Sequence, residues 1–178
     1  MPIRRTDRTR LRREPPLTRI LPIDVSAPQE QLNWCWAACL QAVLGYRDRP
    51  TTQRALANEI SRLRGSCCVA PLPKECNQGA TPEEFTKLLL ARSPGSRHVA
   101  GALSEEELSE ELKHERPVII GYTWAHVCLV YGRAGNKFLF YDPRGPAPLP
   151  PTVGSQSYAA VTRYGSDSPT WNNSWVGL

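Results

Sequence analysis

A chain of 178 residues, 40% of them hydrophobic and 22% charged, is sized for one domain and too apolar for a disordered segment. No run approaches the roughly 18 apolar residues that span a bilayer, which excludes membrane insertion. The net charge of +5 does not mark a nucleic-acid binder: seven arginines against Asp7 and Glu14 within residues 1–20 account for all of it, and the remainder is neutral.

Residues 1–24 read as an Arg- and Pro-rich flexible arm and residues 25–178 as one folded domain. The arm has no apolar core of 7–15 residues and no small-residue cleavage site, so it is not a secretory signal. The expected location is the cytoplasm, or outside the cell by way of a specialised secretion system. Pro15, Pro16, Pro22 and Pro28 keep this approach extended.

From Asn33 to about Arg47, Trp36, Ala37, Leu40, Val43 and Leu44 recur at helical spacing, and Gly45 or Asp48-Arg-Pro50 ends the run. A second helix starts at Thr51 or Thr52 and carries Leu56, Ile60 and Leu63 to Gly65. Prolines and Gly79 make Ser66 to Gly79, which holds Cys67, Cys68 and Cys76, irregular. A third helix opens with Thr81 as N-cap, Pro82 next and Glu84 closing a capping box. A fourth opens with Ser104 and Glu107, stapled by Leu103 and Leu108, and ends before Pro117.

After Pro117 the period changes. Residues 118–124, 127–131 and 137–141 are β-branched and aromatic runs of strand length, with a turn over 132–136 between the last two. A further strand is expected near Tyr158 to Thr162. Helices first and strands afterwards indicate a segregated α+β fold.

Three residues stand where nucleophilic chemistry would need them. Cys35 opens the first long helix, where the positive end of the macrodipole favours a thiolate. His126 heads an apolar strand, unlike His98, which is expected in a loop after Arg97, and His114, which lies in a charged run at the end of the fourth helix. Asp142 ends the next strand. A hairpin centred near Ala134-Gly135 puts it opposite His126, within about 5 Å, close enough to orient the ring. Nucleophile, base and orienter form the set that acyl transfer requires, with the Cys35 N–H and the Gln29 side chain as donors for an oxyanion. Each also has a structural reading: a buried core cysteine, a satisfied histidine, an Asp-Pro turn.

Gln29…Trp34-Cys-Trp-Ala-Ala38, Arg116-Pro-Val-Ile-Ile120, His126-Val-Cys-Leu-Val-Tyr-Gly132 and Phe140-Tyr-Asp-Pro143 resemble the papain-like cysteine peptidases, in particular a small bacterial branch with a Trp-Cys-Trp-Ala-Ala signature. The resemblance covers roughly Gln29 to Trp175. It implies a papain-like fold, an N-terminal helical half packed against a C-terminal antiparallel sheet. It also implies a Cys35–His126–Asp142 triad with Gln29 in the oxyanion hole, Gln31 being the neighbouring alternative. The substrate would be a protein or peptide, with no cofactor or metal, and the protein would act as a monomer without binding nucleic acid.

Cys67-Cys68 and Cys76-Asn77 also resemble that branch, although its further cysteine in the second helix is replaced here by Arg54. The disulfide pattern therefore stays open, with Cys39 as a substitute partner or one cysteine free. A zinc site from Cys39, Cys67, Cys68 and Cys76 competes, against the usual ligand spacing. Trp171 and Trp175 are expected to pack on the core as a C-terminal lid. A deamidase or acyl transferase using the same triad, and a non-catalytic binding module, are the alternative functions.

Overall fold

The computed structural model describes residues 18–60, 67, 71, 73–144 and 151–178. The elements run β1 (Thr18–Ile20), α1 (Cys35–Tyr46), α2 (Gln53–Glu59), α3 (Pro82–Arg92), β2 (Arg97–Ala100), α4 (Glu105–Lys113), β3 (Val118–Tyr122), β4 (His126–Ala134), β5 (Lys137–Asp142), β6 (Thr152–Ser157), α5 (Tyr158–Thr162) and β7 (Trp171–Val176), with a 3-10 turn at Lys74–Cys76. Helices fill most of the first half and an antiparallel sheet the second, which is the α+β arrangement the sequence indicated.

Helix α1 is the centre of the molecule. Nine of its twelve residues are buried, Ala37, Ala38 and Ala42 among them, and small side chains let it lie close against β4. No side chain caps its start. The approach is instead tied down from the far side: Asn33 N–H and Nδ2 donate to Asn77, and Trp34 Nε1 donates to Cys76 O at 2.6 Å. Gly45 lies within the helix, and the reversal falls at Asp48, with φ of 56°.

Helices α3 and α4 begin as their capping boxes require. Glu84 N–H bonds Thr81 Oγ1 and Glu107 N–H bonds Ser104 Oγ, each reciprocated by the glutamate on the cap N–H. Leu103 and Leu108 are both buried, as a staple should be. Helix α2 is shorter than its apolar pattern suggests. It stops at Glu59, and Ile60 is extended yet buried. Leu63 and Gly65 lie outside the described residues.

The sheet order is β2-β7-β3-β4-β5-β6, every pair antiparallel, and β1 joins β4 beyond the reach of β3. Three expectations need correction. Residues 158–162 form helix α5 rather than a strand, because Ser157 caps Ala160 N–H; the strand is the preceding β6. His98 lies in β2 and not in a loop. The arm expected over residues 1–24 ends earlier than Asp24. Thr18–Ile20 pairs with Gly132–Ala134, and Leu21 and Ile23 are buried behind it. Gly132 permits that pairing, since a Cβ there would sit 2.9 Å from the Arg19 carbonyl oxygen.

Candidate active site

Cys35 is the first residue of α1, His126 the first of β4 and Asp142 the last of β5. A cavity of about 360 Å³ opens where the helix start meets the sheet, and Cys35 and His126 both line it. Trp36, Phe85 and Trp175 give it an aromatic wall, Gly79 and Ala80 a second, and Asn33 and Asn173 supply polar edges. Phe85 meets Trp175 edge-on at 4.8 Å, which fixes that wall. Gly121 keeps the floor low: a Cβ there would come within 3.1 Å of both Asn173 and the Trp175 ring.

His126 Nε2 lies 2.6 Å from Asp142 Oδ1, and both side chains are buried. The carboxylate also accepts Tyr164 O–H on Oδ2 at 2.6 Å and Arg144 N–H on Oδ1 at 2.8 Å. Burial alone would raise the Asp142 pKa. The His126 bond and charge, with help from Tyr164 and Arg144 N–H, outweigh it and hold the group below the ordinary carboxylate value. The imidazole is stacked on Trp124 at 4.6 Å, and the Arg144 guanidinium lies over the same indole at 4.3 Å.

The register that brings these groups together differs from the expected one. The turn is at Gly135-Asn136, Gly135 having φ of 63°, and the ladder shifts near Tyr131, so Leu129 faces Tyr141. One step further, Asp142 stands across from Cys128. His126 therefore reaches the carboxylate diagonally.

Cys35 departs from expectation in its chemistry. Burial is the dominant influence and pushes the thiol up to about 11, against the N–H groups of Val127 and Trp36, which favour the thiolate. The helix start does not leave a resting thiolate at neutral pH, because desolvation outweighs it.

Gln29 is brought near the site without lining the cavity. Its N–H donates to Pro143 O, next to Asp142. Its Nε2 donates to Gln31 O at 2.9 Å and Leu32 O at 2.6 Å, leaving Oε1 buried without a partner. Gln31 does not line the cavity either. Sequence reasoning missed Tyr164, Trp124 and Arg144. Tyr164 follows a segment whose pattern mimicked a strand, and nothing in the chain links it to a residue 22 positions earlier. Trp124 carried a faint signal, two positions before His126 at a strand entrance.

Cys67 and Cys76 form a disulfide, whereas Cys35, Cys39 and Cys128 are free and buried; Cys68 lies outside the described residues. Cys39 is thus not the substitute partner, and the four-cysteine zinc site loses two ligands to the bridge. Among the described residues, one grouping has metal-ligating donors close together: His126, Cys128 and Asp142. No helix of the described residues is long and apolar enough to cross a membrane.

A helix-initiating cysteine facing an antiparallel sheet that carries a histidine and a carboxylate is the architecture of the papain-like cysteine peptidases. Comparison with known proteins agrees. A family model described as papain-like cysteine protease AvrRpt2 matches residues 19–150; the chain belongs to that family and is a cysteine peptidase. No curated protein matches it. Among solved structures, a putative C39-like peptidase from Bacillus anthracis aligns with a TM-score of 0.60 at 16% identity, covering 91% of this chain and 98% of that one. The peptidase domain of Streptococcus ComA, a bifunctional ABC transporter of a quorum-sensing pathway, gives 0.56 at 16%, with 84% and 94% covered. A double-glycine-motif protease of an AMS/PCAT transporter, in complex with its leader peptide, gives 0.54 at 18%, with 92% and 96% covered. At these identities the likeness is one of fold.

Proposed function

We propose that the protein hydrolyses peptide bonds through Cys35, His126 and Asp142 with an acyl-enzyme intermediate. The observation that supports this reading best is the buried His126–Asp142 bond at the wall of the cavity that also receives Cys35. Asp142 engages Nε2 and so leaves Nδ1 as the nitrogen for the thiol. The Cys35 proton passes to Nδ1 as sulfur attacks the carbonyl carbon, which accounts for a nucleophile that rests as a thiol. The imidazolium then protonates the leaving amine, and water, deprotonated by the same ring, cleaves the thioester. Asp142 stays ionised throughout and stabilises the cation.

The Cys35 N–H is the first oxyanion donor. Gln29 supplies the second when its amide releases one of the two backbone carbonyls it now holds. An extended peptide or protein segment is the substrate, with an apolar side chain against Trp36, Phe85 and Trp175. The protein acts as a monomer, in the cytoplasm or after export by a specialised system.

The test is limiting iodoacetamide at neutral pH with mass-spectrometric mapping, paired with cleavage of a quenched peptide library. Cys35 is labelled first, His126→Ala abolishes that preference, and Cys35→Ala abolishes cleavage. Uniform slow labelling of every cysteine, with no cleavage, rejects the triad. Ammonia release from glutamine peptides without chain scission replaces hydrolysis by deamidation.

A further inference from the structure

The catalytic scheme has no use for Cys128. Its thiol is fully buried and free, two residues after His126 and therefore on the same face of β4. Extending the β4–β5 register one step beyond Leu129 and Tyr141 places it across from Asp142. One donor atom each of His126, Cys128 and Asp142 lie within 4.8 Å of one another. We propose that a thiophilic divalent cation, with zinc(II) as the type ion, binds between Cys128, His126 and Asp142 and arrests the peptidase.

The donor set decides the class of ion. One sulfur, one imidazole nitrogen and one carboxylate oxygen suit zinc or cobalt, whereas calcium and magnesium require shells of oxygen. Tetrahedral zinc, with bonds of about 2.0 to 2.3 Å, sets its donors about 3.3 to 3.6 Å apart. The sulfur therefore draws in by at most about 1.5 Å, while Nε2 and Oδ1, now 2.6 Å apart, separate by about an ångström or less. Outer support is already built: Tyr164 O–H holds the second carboxylate oxygen and Arg144 N–H the first, the kind of arrangement that orients metal ligands. Water takes the fourth position.

Arrest follows from proton bookkeeping. The metal occupies Nε2, so the ring proton moves to Nδ1, and the Cys128 thiol releases its proton to solvent; no electron is transferred. With Nδ1 protonated, His126 has no lone pair for the Cys35 proton. The arrest rests on the catalytic reading above, but metal binding does not.

The experiment uses the full chain carrying Cys35→Ala, titrated with cobalt(II) in metal-free buffer. Expected are saturable uptake of one ion, tetrahedral visible bands, a thiolate-to-cobalt charge-transfer band, and release of about one proton per ion. Adding Cys128→Ala, or the near-isosteric Cys128→Ser should the alanine variant not fold, removes the charge-transfer band; Cys39→Ala keeps it. In the otherwise native chain zinc(II) stops peptide cleavage, a chelator restores it, and Cys128→Ala raises the zinc needed at least about tenfold. A band that survives loss of Cys128, or no saturable uptake, overturns the site. Uptake with undiminished cleavage overturns the arrest. A chain that cleaves nothing but binds cobalt as described fails the catalytic reading and leaves the metal site standing.

Discussion

His126 and Asp142 are joined by a 2.6 Å hydrogen bond although they are not ladder partners. His126 faces Tyr122 across the β3–β4 ladder, and Asp142 lies one step beyond the last β4–β5 pair, Leu129 with Tyr141. The shift near Tyr131 and the tight turn at Gly135-Asn136 set this diagonal. The carboxylate is thereby steered to one nitrogen of the ring, leaving the other for the cavity.

Asp142→Asn keeps the size of that side chain and removes its charge. The imidazolium then loses its counterion, and the amide can present N–H to Nε2, reversing the tautomer. Cleavage should fall by about two to four orders of magnitude in kcat, with KM little changed, as measured by steady-state peptide hydrolysis.

Tyr164→Phe deletes one hydroxyl donor to the buried carboxylate. A bond to a charged group contributes roughly 1.5–3 kcal/mol, so kcat should fall by about tenfold or more. Because Tyr164 helps to hold the Asp142 pKa down, the acid limb of the pH–rate profile should move to higher pH. An unmoved limb would show that the hydroxyl serves packing alone.

Cys35 links stability to alkaline pH. Burial pushes its thiol up to about 11 in the folded chain, from an ordinary value of 9.0. A raised folded pKa stabilises fully below the unfolded value, and that stability is lost as pH climbs from 9 toward 11. The loss is on the order of 2–3 kcal/mol, at 1.36 kcal/mol per unit. Urea unfolding at pH 7 and 10.5 should show a steeper decline for the native chain than for Cys35→Ala.

Gly132→Ala should destabilise the fold by about 1–3 kcal/mol, the usual range for an added group in a filled space. The new Cβ meets backbone, the Arg19 carbonyl at 2.9 Å and Ile20 Cα at 3.1 Å, so β1 must lift from β4. Thermal melts should show a lower midpoint, and amide exchange at 18–20 should accelerate first.

Much of this was legible in the chain. The capping boxes at Thr81 and Ser104 worked as read because a helix start is a local matter, settled by a side chain three residues from the N–H it accepts. Strands β3, β4 and β5 were recognisable because buried β-branched and aromatic runs leave few alternatives. Helix α5 was misread, since five residues hold too little periodicity to overrule a strand-like composition. Strand β2 was missed because, exposed on most of its length, it owes its pairing to β7 and not to its own residues.

The sequence by itself determined the α+β class, the starts of three helices, and Cys35, His126 and Asp142 as the residues to bring together, because capping, periodicity and residue chemistry act over a few positions. Only the tertiary structure decided the thiol's protonation, the occupation of the Gln29 amide, the clasp of Tyr164 and Trp124 around the His126–Asp142 pair, and the approach of Cys128. Desolvation and hydrogen-bond competition depend on what packs alongside a group, and local pattern does not say whether a near neighbour such as Trp124 or Gln31 turns toward it or a distant one such as Tyr164 reaches it.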